Sequence, residues 1–206
     1  MRESARGEEP GKTRRRGPEL VAAIHRAVLA ELAEHGFRGL TMDGIGTRAG
    51  TGRAPLYRRW KSVEELVLDT VTHALTELDR PADTGDLRTD LLAHFRRLAD
   101  GVLAGELGGA LHAIIGERAR YPELIGAIRD QALRPHLDAI SATVRAAAQR
   151  GELDEATVTE QACAAGPALI VVHSLIGDAP PGEDELADIV DHVVLPSLGY
   201  RKDQRR

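Results

Sequence analysis

AGTGRAPLYRRWKS, residues Ala49 to Ser62, decides how this chain folds. Three arginines, a Gly-Thr-Gly turn, a proline, a tyrosine and the only tryptophan fall within one short stretch of a sequence that is 3% aromatic. A Walker-type phosphate loop needs GxxxxGK[ST] after a strand, and a dinucleotide loop needs GxGxxG after a strand; neither spacing is present. What precedes the turn is a short helix. Thr41 is placed to cap it, Asp43 lies at the positive end of its dipole, Ile45 and Ala49 form its inner face, and Gly50 ends it. A second short helix is expected from about Arg53 to Lys61. Two short helices joined by a Gly-containing turn are a helix-turn-helix, whose second helix enters the DNA major groove.

Helical spacing sorts that second helix. Leu56 and Trp60, four apart, face the core with Ile45 and Ala49, and Trp60 is read as core because its size favours burial. Arg53, Tyr57, Arg58 and Arg59 are left for the outer faces, where arginines supply forked donors for phosphate or guanine and Tyr57 supplies a hydroxyl and a ring edge. Thr41 and Thr51 stand at helix starts that suit a phosphate oxygen. Lys61 completes the cationic set, and Ser62-Val63-Glu64-Glu65 reads as the capping box of a fourth helix.

Outward from this stretch, apolar spacing is helical nearly throughout. Val21, Ile24, Val28 and Leu32 give the first helix one buried face, from Pro18 to His35, with Gly36 as the left-handed residue that stops it and Phe37 folding back. The fourth helix ends near Arg80-Pro81. Further helices are expected at about 87–103, 107–120, 122–150, 155–176 and 184–198, with a kink at Arg134-Pro135. The fold class is therefore all-α, about nine helices in all. It divides into a basic N-terminal arm (1–17), a three-helix module with the helix-turn-helix (18–62), a larger helical domain (63–200) and a tail (201–206).

Charge follows the same division. The chain carries a formal −5, yet Lys12 to Lys61 holds eleven Lys and Arg against four Asp and Glu, a local +7. A small basic module joined to a large acidic domain is the asymmetry expected when one part meets phosphate. The arm Lys12-Thr13-Arg14-Arg15-Arg16 is suited to a neighbouring minor groove. The single Cys163 excludes an intrachain disulfide, the N-terminus has no apolar signal segment, and the run Ala162 to Ile176 is too short to span a bilayer. A cytoplasmic protein without membrane contact is expected.

The series GFRGLTMDGIGTRAGTGRAPLYRRWKSVEELV, Gly36 to Val67, resembles the TetR family of bacterial transcriptional regulators. It is similar to that family's Gly-Phe/Tyr, Thr cap, Ile-Ala-x-x-Ala-Gly, turn, Leu-Tyr-x-x-Phe/Trp and Lys-Ser-x-Glu-x-Leu pattern. The resemblance implies DNA contacts by Thr41, Thr51, Gly52, Arg53, Pro55, Tyr57, Arg58, Arg59 and Lys61. It also implies a homodimeric repressor on a palindromic double-stranded operator, released by a small-molecule effector, with no cofactor. The dimer would form through the last two long helices, which carry Leu169, Val172, Leu175, Leu186, Ile189, Val193 and Leu195. The middle helices would enclose the effector, with His94, Phe95, Leu103, Leu111, His112, Ile115, Leu133 and His136 as lining candidates.

The chain departs from the pattern in three places. Gly46 stands where the family usually has alanine, and Gly44 lies nearby, each costing up to about 1 kcal/mol of helix stability. Pro55 stands where Ser or Thr is common, and it disfavours helical angles at Ala54, so the reading helix is expected to start one or two residues late. Other function classes have less support. A partner-binding protein with a degenerate helix-turn-helix rests on Gly44 and Gly46, and an all-helical enzyme lacks any HExxH, nucleophile elbow or Cys–base motif. Asp188 and His192, four apart, read as a surface ion pair and not as a metal site.

Overall fold

The computed structural model describes residues 17–76, 83–177 and 179–200, and every regular element among them is helical. The basic arm, the expected helix end at Arg80-Pro81 and the 201–206 tail lie outside the described residues. Counting continuous helical runs, the described residues form nine helices. The first four are α1 (Pro18–Gly39), α2 (Met42–Ala49), α3 (Arg53–Tyr57) and α4 (Val63–Thr76). They are followed by α5 (Leu87–Leu103), α6 (Gly105–Gly116), α7 (residues 122–149), α8 (Glu160–Ile176) and α9 (residues 183–197). No single helix among the described residues is long and apolar enough to cross a membrane.

α1 buries Ile24, Val28 and Leu32, the stripe that its spacing dictates. Gly36 interrupts its last turn with φ 67° and ψ 176°, a backbone that side-chain-bearing residues resist. That break turns Phe37 inward, where its ring centroid lies 4.5 Å from that of Tyr121. The long body of α1 runs against α6 closely enough that a Cβ on Gly109 would sit 3.3 Å from Ala33 Cβ. Arg38 pairs with Glu117 at 2.7 Å beside this contact. The first four helices are thus held to the rest of the chain through α1 on α6 and α4 on α7.

The larger half is built around α5, whose Leu87, Leu91 and Phe95 are wholly buried and which packs on α7, α8 and α9. Phe95 lies directly on Gly166 of α8, where a Cβ would overlap the ring. Arg88 holds α9 to α5 through a two-pronged pair with Asp191, at 2.6 and 2.7 Å. Two helices of this half differ in extent from expectation. α6 occupies Gly105–Gly116 and not 107–120, and α8 starts at Glu160 because Thr159 Oγ1 accepts from the Ala162 amide at 3.1 Å. A single 3₁₀ turn, Glu155–Thr157, takes up the residues before it.

At two of the X-Pro steps inside helical runs, Arg134-Pro135 and Leu195-Pro196, the chain widens its own helix. Arg129–Leu133 and Val190–Val194 are π turns, and the amides of Arg134 and Leu195 reach back five residues to the carbonyls of Arg129 and Val190. Pro135 and Pro196 follow immediately. A proline ring clashes with the carbonyl four residues back, and a widened turn moves that carbonyl away. The expected interruption at Arg134-Pro135 takes this form, with the helix continuing through it.

Candidate nucleic-acid interface

The turn between α2 and α3 is built from its own backbone. Thr41 Oγ1 accepts from the Gly44 amide at 3.1 Å and caps α2. Gly50 closes the helix in the left-handed region (φ 71°, ψ 34°), and the Thr51 amide donates to Gly46 O at 2.8 Å. Gly46 is buried against this turn: a Cβ there would come within 3.2 Å of Thr51 O. The glycine that departs from the family pattern therefore has a local use, since it lets the turn lie close on α2.

α3 begins at Arg53, so the late start expected from Pro55 does not occur. Pro55 is its third residue, where a helix amide has no intrahelical partner to lose. The helix is instead shorter at its other end. It runs to Tyr57, and Arg58 and Arg59 form a closing turn in which the Trp60 amide still donates to Leu56 O at 2.9 Å. Lys61 lies beyond it.

This geometry divides the segment into two faces. Leu56 is fully buried and Trp60 is 4% exposed, so both anchor the segment to the core. Thr41, Gly52, Arg53, Tyr57, Arg58, Arg59 and Lys61 are exposed, while Thr51 and Pro55 are half-buried. Tyr57, at 55% exposure, is a large aromatic ring left in solvent by a chain that has few. Among the described residues Arg58, Arg59 and Lys61 make no ion pair, but Arg53 pairs with Asp43 of α2. A fifth nearby cation, Arg48, is committed inside the module: its guanidinium meets Glu31 at 2.7 Å and also Glu34, and the Arg48–Glu34 bond holds the Glu34 carboxyl below its ordinary range.

The segment leaves α3 through a cap. Ser62 Oγ accepts from the Glu65 amide at 3.2 Å, and Glu65 Oε2 accepts from the Lys61 amide at 2.7 Å, one residue wider than the capping box expected at Ser62. Sequence reasoning missed the next contact. Trp60 Nε1–H donates to Asp69 Oδ2 at 2.9 Å, and His25 Nε2 lies 3.1 Å from the same oxygen. The His25 ring sits 5.0 Å from the ring of His73 and 6.0 Å from that of Trp60. Burial lowers the His25 pKa, against the bond and charge of Asp69. The partners are 44 and 9 residues apart, and neither spacing carries a local signal.

The arrangement offers an exposed ring edge and hydroxyl with three cations that make no ion pair among the described residues, all on one core-anchored segment. Such a set can meet a phosphate backbone with Arg and Lys and can reach base edges with Arg and Tyr.

The effector candidates are dispersed. His94, Phe95, Leu111 and His136 are buried, with His94 Nε2 2.9 Å from Thr143 Oγ1 and the His94 and His136 rings 6.4 Å apart. Leu103 and Ile115 are half-buried. His112 is exposed and its two nitrogens lie 2.9 Å from Gly108 O and 3.0 Å from Ser174 O. Leu133, 40% exposed, lines a cleft of about 360 Å³ between α7 and α8, which the other seven do not line. Of the seven apolar residues on α8 and α9, Leu169, Val172, Leu175 and Val193 are exposed and Ile189 is half-buried. Leu186 and Leu195 are instead buried within the chain itself, in the core and not on the surface of these helices. Asp188 and His192 form an exposed pair at 3.8 Å, and no group of three metal-ligating side chains occurs among the described residues.

Comparison with known proteins agrees with this architecture. Residues 24–70 match the family model described as bacterial regulatory proteins, tetR family, and residues 81–193 match the tetracyclin repressor-like C-terminal domain. An HTH-type transcriptional regulator of Mycobacterium tuberculosis is 31% identical over 192 residues, covering 92% of this chain and 91% of the relative. The DNA-binding transcriptional repressor TetR of Mycobacteroides abscessus is 28% identical, over 87% of this chain and 94% of that one. The solved structure of the flavonoid-responsive regulator FrrA superposes with a TM-score of 0.67 at 16% identity, covering 89% of this chain and 97% of the other. With a matching helix-turn-helix, a matching C-terminal domain and relatives aligned over almost its whole length, the chain belongs to the TetR family of transcriptional regulators.

Proposed function

We propose that this regulator is a homodimeric, cytoplasmic repressor that reads a palindromic operator with residues 53–61 and lets go of it when a small molecule enters the C-terminal helices. The observation that carries the reading is the sorting of one short segment. Leu56 and Trp60 are buried while Tyr57, Arg58, Arg59 and Lys61 stand exposed, the three cations without an ion pair among the described residues. A solvated surface turn has no need of two large buried anchors, whereas a reading element must hold its outward side chains at fixed angles. Arg53, Thr41, Thr51, Gly52 and Pro55 border the same surface. Gly44 and Gly46, the support for a degenerate helix-turn-helix, sit in an intact capped helix whose turn uses Gly46, so the partner-binding alternative loses its argument.

Dimerisation is supported by the exposed apolar row Leu169, Val172, Leu175 and Val193, to which Ile176 adds at 84% exposure. Exposed apolar side chains on the last two helices are surface that a second copy would cover. The effector part of the reading has the family's C-terminal domain as its support. His94, Phe95, Leu103, Leu111, His112, Ile115, Leu133 and His136 remain its candidate contacts, on the helices that domain provides. Selection of bound fragments from a random duplex pool, with the mass of the complex measured by sedimentation, tests the reading. An inverted repeat bound by an even number of chains is expected, and a single unrepeated site bound by one chain would contradict it.

A further inference from the structure

α4 presents two neighbouring residues to two different places. Leu68 lines a cleft of about 630 Å³ whose opposite wall includes Arg120, Tyr121 and Leu124, at the start of α7. Asp69 turns the other way and takes both Trp60 and His25 on one oxygen. Trp60 directly follows Arg59 and precedes Lys61, and its ring is buried, so the exposed cations on either side of it move when it moves. His25 belongs to α1. One carboxylate therefore joins the end of the reading segment to both α1 and α4.

We infer that Asp69 is a positioning residue for DNA reading: through the Trp60 indole it registers the reading segment to α4, so that the angle of Arg58, Arg59 and Lys61 follows that helix. The inference rests on the reading of residues 53–61 as the DNA-contacting face. Burial of Leu56 and Trp60 alone keeps the segment folded, because apolar contact is non-directional. A hydrogen bond to a charged acceptor adds direction, fixing which way the indole edge points. Asp69 is the group that supplies it, and its side chain is half-exposed, so its removal leaves no hole in the core.

The chain has one tryptophan, so a ¹H–¹⁵N spectrum of the full-length protein holds one indole cross-peak, which reports on the hydrogen bond and surroundings of that one ring. Asp69→Ala is expected to move that peak upfield, keep the helical circular dichroism and weaken binding to the selected operator by about tenfold. Its binding to unrelated duplex at low salt is expected to stay within about twofold, because the phosphate-meeting cations remain. Asp69→Asn keeps one side-chain oxygen to accept from the indole and should retain the peak position and most of the operator affinity. Trp60→Phe, which keeps a buried ring and loses the donor, should cost as much as Asp69→Ala, and the two together should cost no more than either. An unmoved indole peak, parent-like operator affinity in Asp69→Ala, or additive losses in the pair overturns the inference. A parent that selects no DNA sequence overturns the reading beneath it instead, and the two failures are separated because only the first is seen on an operator the parent binds.

Discussion

Asp43 and Arg53 form an ion pair across the turn, joining the first turn of α2 to the first residue of α3. The pair sets Arg53 apart from Arg58, Arg59 and Lys61, because a phosphate or base that recruits Arg53 must compete with a carboxylate already in place. Asp43→Asn removes the competitor. It is expected to tighten binding to all duplexes and to steepen the dependence of log K on log salt by about one. Lys61→Ala should weaken all sites and flatten the slope by about the same amount, while Arg53→Ala should relax base preference at one operator position, worth about 1–3 kcal/mol. Titrations at several salt concentrations check all three.

Acid should loosen the module through His25. Burial sets its folded pKa below the ordinary 6.5, against the opposing pull of the Asp69 hydrogen bond and charge; His73 and Arg59 add to the lowering. The unfolded chain therefore binds the proton more readily than the folded one. The stabilisation is complete above the unfolded pKa of 6.5, shrinks as pH falls through it and is gone below the lowered folded value. Urea midpoints followed from about pH 8 to about pH 5 should fall further for the parent than for His25→Gln. Equal falls would remove His25 from the account.

The apolar row on α8 distinguishes a dimer from a monomer. Val172 is 50% exposed, so Val172→Arg costs little in an isolated protomer. In a dimer that covers this row it buries an unpaired charge, a loss of several kcal/mol. Sedimentation should show a folded monomer that no longer retains the operator. Leu186→Arg, at a position 2% exposed, should instead unfold the chain.

The core around α5 leaves no room at Gly166, where a Cβ would overlap the Phe95 ring. Gly166→Ala is expected to destabilise the protein by about 1–3 kcal/mol, the usual cost of overpacking. Adding Phe95→Leu should recover part of that loss, which a double-mutant cycle by urea denaturation measures directly.

What the sequence disclosed and what it hid have separate physical causes. Caps, glycine stops and helical stripes depend on residues within a turn or two of one another. Thr41, Gly50 and the stripe Ile24, Val28 and Leu32 accordingly lie where the spacing puts them, while Gly36 breaks α1 without ending it, the helix running on to Gly39 and not stopping at His35. Trp60 was legible as core from size alone. The length of α3 was less legible, since Arg58, Arg59 and Trp60 are acceptable helix residues and tertiary anchoring at Leu56 and Trp60 decides where the turn closes. Asp69 was invisible as a partner because its contacts come from distant helices. On the effector side, histidines at inward helical positions read as lining, yet His94 is met by Thr143 across the core. Leu186 and Leu195 looked like interface for a similar reason: a stripe on a helix does not say which neighbour covers it.

The central claim is that residues 53–61 read DNA sequence. Competitive selection from one random duplex pool by the parent, Tyr57→Ala and Arg59→Ala tests it most directly. The account predicts that the parent enriches an inverted repeat and that each variant enriches a weaker or altered one, with losses of about 1–3 kcal/mol at the affected positions. Recovery of the same repeat with the same affinity by all three proteins would contradict it.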